Sequence, residues 1–121
     1  MIATIAIDTN IVIRYFNGDE ACKEIITGKI PALSIISEIE LLSWPQLNSD
    51  EYDLLSSFLS ECFIINLSSE IRNETIAIRK NYGLKVPDAV IAATATTKNL
   101  SLFSSDDIFK RIPHLNFVHV I

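Results

Sequence analysis

Residues 2–10 of the 121-residue chain are Ile-Ala-Thr-Ile-Ala-Ile-Asp-Thr-Asn, and this stretch decides the fold. Residues 2–7 form a short apolar run rich in β-branched side chains, which predicts a strand buried on both faces. Asp8 ends the run, and Asp8, Thr9 and Asn10 are residue types that favour helix starts. The stretch therefore predicts a buried first strand that passes directly into a helix.

Strand-like and helix-like segments alternate along the rest of the chain. Further strands are predicted at residues 30–33, 63–67, 100–103 and 117–121. Helices are predicted at residues 10–17, 19–27, from 34–37 to Pro45, from Asn48 to about Glu61, 69–82 and 87–98. The alternation, with strands that are apolar at consecutive positions, indicates one α/β domain over residues 1–121. Its parallel sheet would be covered by helices on both faces, in three layers.

Composition excludes several classes of protein. Half of the residues, 49%, are hydrophobic and only three are glycine, so a disordered or low-complexity chain does not fit. The net charge of -5 argues against a broadly basic nucleic-acid coat. Cys22 and Cys62 form no CxxC motif and are expected to be small buried thiols in a reducing compartment. Without a signal peptide or an apolar run of roughly 20 residues, the chain is expected to be cytoplasmic, with no membrane contact.

Acidic residues recur where predicted strands end or helices begin. Asp8 follows the first strand, Asp88 stands in the first turn of a helix, and Asp106 and Asp107 follow the strand at 100–103. Each of these residues taken alone also fits a helix cap or a turn. Because ligands of parallel sheets bind beyond the carboxyl ends of the strands, the acids are expected to share one crevice.

Glu40 is predicted to complete this set from a neighbouring helix. Helical spacing puts Glu40 on one face with Ile36, Ile39 and Ser43, whereas Glu38 points about 200° away. We therefore expect Glu40 to face the core side and Glu38 to face water. A surface position for Glu40, at the margin of the apolar stripe, is the alternative.

Carboxylates that converge in this way need a cation or a proton. One like-charge pair at about 4 Å costs about 4 kcal/mol at an effective dielectric constant near 20. Oxygen ligands without His or Cys favour Mg²⁺ or Mn²⁺, and such sites commonly handle phosphate esters. The pattern thus predicts a divalent metal site that acts on phosphate.

At these positions the sequence resembles the PIN-domain ribonucleases, and most closely the VapC toxins of bacterial toxin–antitoxin pairs. The resemblance covers essentially the whole chain, and four segments carry it: residues 7–10, 34–41, 87–95 and 102–106. It assigns the acidic catalytic and metal-binding positions of the family to Asp8, Glu40, Asp88 and Asp106. It assigns supporting polar positions to Thr9, Asn10 and Ser104.

The end of the chain departs from the family pattern, in which a second aspartate precedes a phenylalanine. Ile108 occupies that place before Phe109, and Asp107 is a possible shifted substitute. The sequence therefore leaves the choice between Asp106 and Asp107 as the fourth acid open.

The resemblance also implies a sheet of four or five parallel strands and an activity. That activity is Mg²⁺- or Mn²⁺-dependent endoribonuclease cleavage of an RNA substrate. The implied partners are a second copy of the chain, in a homodimer, and a cognate antitoxin whose tail enters the active-site groove. Trp44, beside Pro45, is expected in the core or in the dimer interface.

Other functions are compatible with parts of the pattern. A PIN-like scaffold that binds RNA or a partner without cleaving would keep the same acids. A phosphoacceptor receiver domain needs an aspartate after the third strand, and residues 66–69 supply none. A dehalogenase-type phosphatase needs a second acid two positions after the first, where this chain has Asn10.

Overall fold

Five parallel strands form the centre of the computed structural model, which describes residues 3–121. The strands are β1 (Ile5–Ile7), β2 (Ala32–Ser34), β3 (Phe63–Ile65), β4 (Ser101–Ser104) and β5 (Phe117–His119). They lie in the order β3-β2-β1-β4-β5, and each neighbouring pair is parallel. The predicted parallel sheet is confirmed, although Ile2, the first residue of the predicted first strand, lies outside the described residues.

Within the described part of the chain, six α-helices and one 3₁₀ helix connect the strands. They are α1 (Thr9–Phe16), α2 (Glu20–Ile26), α3 (Ile35–Leu42), α4 (Ser49–Ser60), α5 (Ser69–Tyr82), α6 (Val86–Thr97) and a 3₁₀ helix at Asp107–Arg111. Asn48 and Glu51 form the predicted capping box at the start of α4, since each side chain accepts a hydrogen bond from the other's backbone N–H. The predicted α-helices are therefore confirmed, whereas the 3₁₀ helix was not predicted.

The helices cover both faces of the sheet and give two hydrophobic cores. Ile5, Ile7 and Leu33 point to one face, where they pack with apolar residues of α1 to α4. Ala6 and Leu102 point to the other face and pack against α5 and α6. Successive strand residues thus enter opposite cores, which explains why the strands are apolar at consecutive positions.

Helix α6 is the most deeply buried helix of the fold. All residues from Ala89 to Ala95 are buried, and α6 packs against both the sheet and α5. Small side chains allow this close approach on several sides. Asp88, in the first turn of α6, is consequently half-buried rather than freely exposed.

The chain reverses its direction of travel across the sheet at β1. Strands β2 and β3 follow β1 on one side, whereas β4 and β5 lie on the other side. Ile7 at the end of β1 pairs with Phe103 of β4. Such a reversal leaves a crevice at the carboxyl ends of the two strands, since their connections leave toward opposite faces.

Both cysteines are free thiols. Cys22 is buried, Cys62 is partly buried, and neither forms a disulfide. Within residues 3–121, none of the helices has the length and apolar character needed to span a bilayer.

Gly83 ends α5, and substitution can test the importance of its backbone conformation. Its φ of +72° is left-handed, and its N–H donates to the carbonyl of Arg79. An added Cβ would meet only the Arg111 side chain, at 3.9 Å, so Gly83→Ala tests backbone conformation rather than packing. We expect Gly83→Ala to lower the free energy of unfolding by about 1–2 kcal/mol in chemical denaturation. Gly83→Asn is the control and should lose less, because asparagine tolerates this conformation; an unchanged Ala variant would contradict the expectation.

Candidate active site

Asp8 lies at the carboxyl end of β1 and is 6% exposed. Its Oδ1 accepts a hydrogen bond from the backbone N–H of Thr9 at 2.7 Å, so Asp8 also caps α1. Its Oδ2 accepts from Ser104 Oγ at 2.7 Å and from Asn10 Nδ2 at 3.1 Å. Three donors therefore surround the carboxylate. Asp8 caps α1 and also lies in the crevice where the acids are expected.

Ser104 and Asn10 connect the two sides of the crevice. Ser104 Oγ receives the backbone N–H of Asp106 at 3.0 Å, so its own proton is available for Asp8. Asn10 Oδ1 accepts from the backbone N–H of Ser105 at 3.2 Å, which orients its amide so that Nδ2 faces Asp8. Together these contacts join the start of α1 to the loop after β4.

Glu40 does not lie on the inner face of α3, so that prediction is wrong. The buried residues of α3 are Ser37 and Leu41, whereas Glu40 is exposed and Glu38 is intermediate. Helical spacing predicts the buried face of α3 from its apolar residues. In the structure a hydrogen-bonded serine takes the buried position, and Ile39 is 56% exposed. Glu40 consequently lies at the margin of the buried face, as the alternative had it.

Glu40 is nevertheless tied to the crevice through Thr9. Thr9 Oγ1 lies 2.7 Å from Glu40 Oε1 and 2.9 Å from Ser37 Oγ. Thr9 is the first residue of α1 and joins two of the predicted acids, because its backbone N–H donates to Asp8 and its hydroxyl contacts Glu40. Ser37 was not predicted as a residue of the site. Its position three residues before Glu40, on a neighbouring part of the helix surface, is the sequence signal that could have indicated it.

Asp106 and Asp107 have different positions after β4. Asp106 precedes the 3₁₀ helix and accepts the backbone N–H of Ile108 on Oδ1 at 3.0 Å. The charge of Asp106 raises the pKa of Asp88, and Asp107 is not among the groups that do so. Ile108 is partly buried against the α5–α6 core, which explains an apolar residue where the family pattern has an aspartate.

Burial and like charges make the crevice costly for anions. Burial raises the pKa of Asp8 to about 6, with smaller contributions from the charges of Asp88 and Glu40, although hydrogen bonds from Ser104 and Thr9 act in the opposite direction. Burial also raises the pKa of Asp88, followed by the charges of Asp106 and Glu40, and Lys85 opposes these effects. The four acids are thus linked electrostatically.

The crevice has the donor chemistry of a divalent-cation site. Within residues 3–121, no group of three or more Asp, Glu, His or Cys side chains is arranged to hold a metal ion. The same residues also contain no ion pair between any of the four acids and a Lys, Arg or His. Carboxylate oxygens that repel one another and form no ion pair have the chemistry that suits Mg²⁺ or Mn²⁺.

An apolar groove of about 450 Å³ lies between α1, α3 and α4. Three of its lining side chains are well exposed: Phe16 at 43%, Trp44 at 53% and Leu54 at 63%. Trp44 is therefore not a core residue, contrary to one of the two expectations for it. The groove is an unpartnered apolar surface beside the helix that carries Glu40.

Together, these features define an α/β domain with carboxylates at the carboxyl edge of a parallel sheet. The family profile of the PIN domain matches residues 5–115. The chain therefore belongs to the PIN-domain family, and the resemblance found in the sequence is confirmed. A comparison with curated proteins gave no match.

Several solved structures share the whole fold. A toxin–antitoxin complex from Klebsiella pneumoniae contains a chain that is 31% identical, with a TM-score of 0.83, and the match covers 95% of this chain and 96% of that one. A chain of VapBC2 from Rickettsia felis, bound to a promoter DNA fragment, is 23% identical with a TM-score of 0.84 and coverages of 98% and 99%. A chain of FitAcB from Neisseria gonorrhoeae is 20% identical with a TM-score of 0.81 and coverages of 96% and 97%. The latter two likenesses show the fold.

The raised pKa of Asp8 gives a pH dependence whose sign is fixed. Its folded-state pKa of about 6 lies above the value of about 3.9 expected for an unfolded chain. Between these values the folded state keeps a proton that the unfolded state has lost. The contribution of Asp8 to the free energy of unfolding is therefore expected to fall as the pH rises from about 4 to about 6.

Carboxyl-carbon NMR measures the titration of Asp8 directly. We expect a midpoint near 6 for the metal-free protein and a lower midpoint in Asp88→Asn, because a neighbouring negative charge is removed. Asp107→Asn is the matched control and should leave the midpoint unchanged. A midpoint below about 4 in the unmodified protein would contradict the expected cost of burial.

Proposed function

We propose that the chain is a metal-dependent endoribonuclease and the toxin of a toxin–antitoxin pair. The observation that carries the proposal is the buried Asp8 at the β1–β4 reversal, whose pKa is raised by burial and by the charges of Asp88 and Glu40. The surroundings of Asp8 disfavour its ionised form, so the residue is not explained by a contribution to stability. A functional role explains its presence there. Membership of the PIN-domain family supports the same conclusion.

Four acids form the proposed catalytic and metal-binding set: Asp8, Glu40, Asp88 and Asp106. We prefer Asp106 to Asp107 as the fourth acid because the charge of Asp106 raises the pKa of Asp88. A bound Mg²⁺ or Mn²⁺ would lower the pKa of a coordinated water and offset charge on the phosphate. The chain's polar residues prepare the ligands, since Asn10 and Ser104 hold Asp8, and Thr9 holds one oxygen of Glu40.

The proposed reaction is hydrolysis of a phosphodiester bond. A carboxylate of the set accepts a proton from the water whose oxygen attacks phosphorus. The P–O3′ bond breaks and the leaving 3′-oxygen takes a proton from solvent, so the products are a 5′-phosphate and a 3′-hydroxyl. Because the 2′-hydroxyl takes no part, this chemistry by itself does not exclude DNA. The assignment of RNA as substrate is supported by the resemblance to the VapC ribonucleases.

Cleavage assays test the activity. We expect the purified chain to cut mixed RNAs in Mg²⁺ or Mn²⁺, and Asp88→Asn to slow cleavage by about 100-fold or more, which is about 2.7 kcal/mol in the barrier. Asp107→Asn is the matched control and should retain activity. EDTA should stop cleavage.

The outcomes separate the competing functions. Cleavage that survives both EDTA and Asp88→Asn would contradict the metal mechanism. Tight RNA binding without cleavage would favour the non-enzymatic scaffold, and cleavage of DNA alone would contradict the proposed substrate.

We assign the apolar groove between α1, α3 and α4 to a segment of the antitoxin other than the tail, which the resemblance places in the active-site groove. The K. pneumoniae relative is part of a toxin–antitoxin complex, which supports a partner of this kind. Exposed acids on α4, namely Asp50, Glu51 and Asp53, favour an apolar segment flanked by basic residues. The homodimer implied by the resemblance stays a prediction.

A single substitution tests the groove. Leu54→Arg places a charge in the groove, and we expect it to weaken binding of the co-expressed antitoxin by about tenfold or more while RNA cleavage persists. Leu67→Arg is the matched control, because Leu67 is similarly exposed, at 55%, and lies outside the groove. Isothermal titration calorimetry measures the affinities. Equal affinities of the two variants would contradict this assignment.

A further inference from the structure

Ser37 is the only serine or threonine among the buried residues of α3, and it is fully buried. Helical serines and threonines commonly donate to the carbonyl one turn earlier, as Ser43, Thr75 and Thr94 do in this chain. Ser37 instead contacts the side chain of Thr9, 28 residues away, at 2.9 Å. Its hydroxyl therefore links two elements of the site.

The protons available decide the direction of this contact. Thr9 Oγ1 has one proton and two oxygen neighbours, Ser37 Oγ at 2.9 Å and Glu40 Oε1 at 2.7 Å. A carboxylate that holds a metal ion can only accept, so in the proposed metal-binding set Thr9 must donate to Glu40. The proton between the two hydroxyls then comes from Ser37, which gives a chain from Ser37 to Thr9 to Glu40.

We propose that Ser37 is a positioning residue for Glu40 and that it acts through Thr9. By donating to Thr9, Ser37 holds the threonine hydroxyl in the orientation that donates to Glu40 Oε1. One oxygen of the exposed Glu40 is thereby fixed, whereas Oε2 makes no hydrogen bond within the described residues. This inference rests on the proposed function, in which Glu40 belongs to the metal-binding set.

A merely structural serine would behave differently when it is replaced. Alanine is a better helix former than serine and fills nearly the same space, so Ser37→Ala should fold with similar or higher stability. Loss of the hydroxyl leaves Thr9 without the donor that orients it. Stability and site geometry should therefore respond separately to this substitution.

The experiment combines Ser37→Ala, Thr9→Val and the double variant, and uses two readouts. Three-bond couplings report the χ1 rotamer of Thr9 in the metal-free protein, and electron paramagnetic resonance measures the dissociation constant for Mn²⁺. We expect one Thr9 rotamer in the unmodified protein and averaging in Ser37→Ala. We expect Mn²⁺ affinity to fall about 10-fold in Ser37→Ala and about 10- to 100-fold in Thr9→Val, the usual range for residues that orient a ligand.

The double variant and two controls test the route. If Ser37 acts through Thr9, the double variant binds Mn²⁺ no more weakly than Thr9→Val alone. Ser43→Ala removes a hydroxyl from the end of the same helix, one that bonds backbone carbonyls, and should change neither readout. Thr9→Ser keeps the hydroxyl and should bind Mn²⁺ more tightly than Thr9→Val.

Failure of this inference is distinct from failure of the proposed function. A fixed Thr9 rotamer in Ser37→Ala would overturn the inference whether or not Mn²⁺ binds. An additive loss of affinity in the double variant would also overturn it, because Ser37 would then act by another route. If the unmodified protein binds no Mn²⁺, the proposed metal site fails, and the rotamer measurement still decides the role of Ser37.

Discussion

A carboxylate buried between β1 and β4 needs hydrogen-bond donors, because an unpaired buried charge is too costly for a small domain to hold. Asp8 meets this requirement with a backbone N–H, an amide and a hydroxyl, drawn from Thr9, Asn10 and Ser104. The first two donors come from the helix that Asp8 caps, and the third comes from a strand much later in the chain. The same contacts therefore join the ends of β1 and β4, cap α1 and orient the carboxylate of Asp8 in the crevice.

Most of the fold was predictable because its local signals agree with its packing. The helix Ser69–Tyr82 was predicted to the residue, since Ser68 caps its start and Gly83 ends it. Strand lengths were less certain, because a strand of three residues such as β3 carries little periodicity. The 3₁₀ helix was missed for the same reason, since it has only five residues and begins at Asp107, directly after Asp106.

The candidate site was predictable in its composition and less so in its geometry. The apolar pattern predicts that Ile39 lies on the buried face of α3, yet Ile39 is exposed and Ser37 is buried. A hydroxyl group can be buried at low cost when a partner from another element meets it, and the partner, Thr9, is remote in sequence. Helical periodicity contains no information about such a contact, so both the outward position of Glu40 and the role of Ser37 require the structure.

The pairing of β1 with β4 also has a consequence for the order in which the chain acquires its shape. Asp8 and Ser104 are separated by 96 residues, so their hydrogen bond is a contact of high sequence separation. During synthesis, Asp8 has only its own local donors until residues 101–104 have emerged from the ribosome. The crevice is thus among the last parts of the molecule to be assembled, and a nascent chain that stops short of β4 has no finished site.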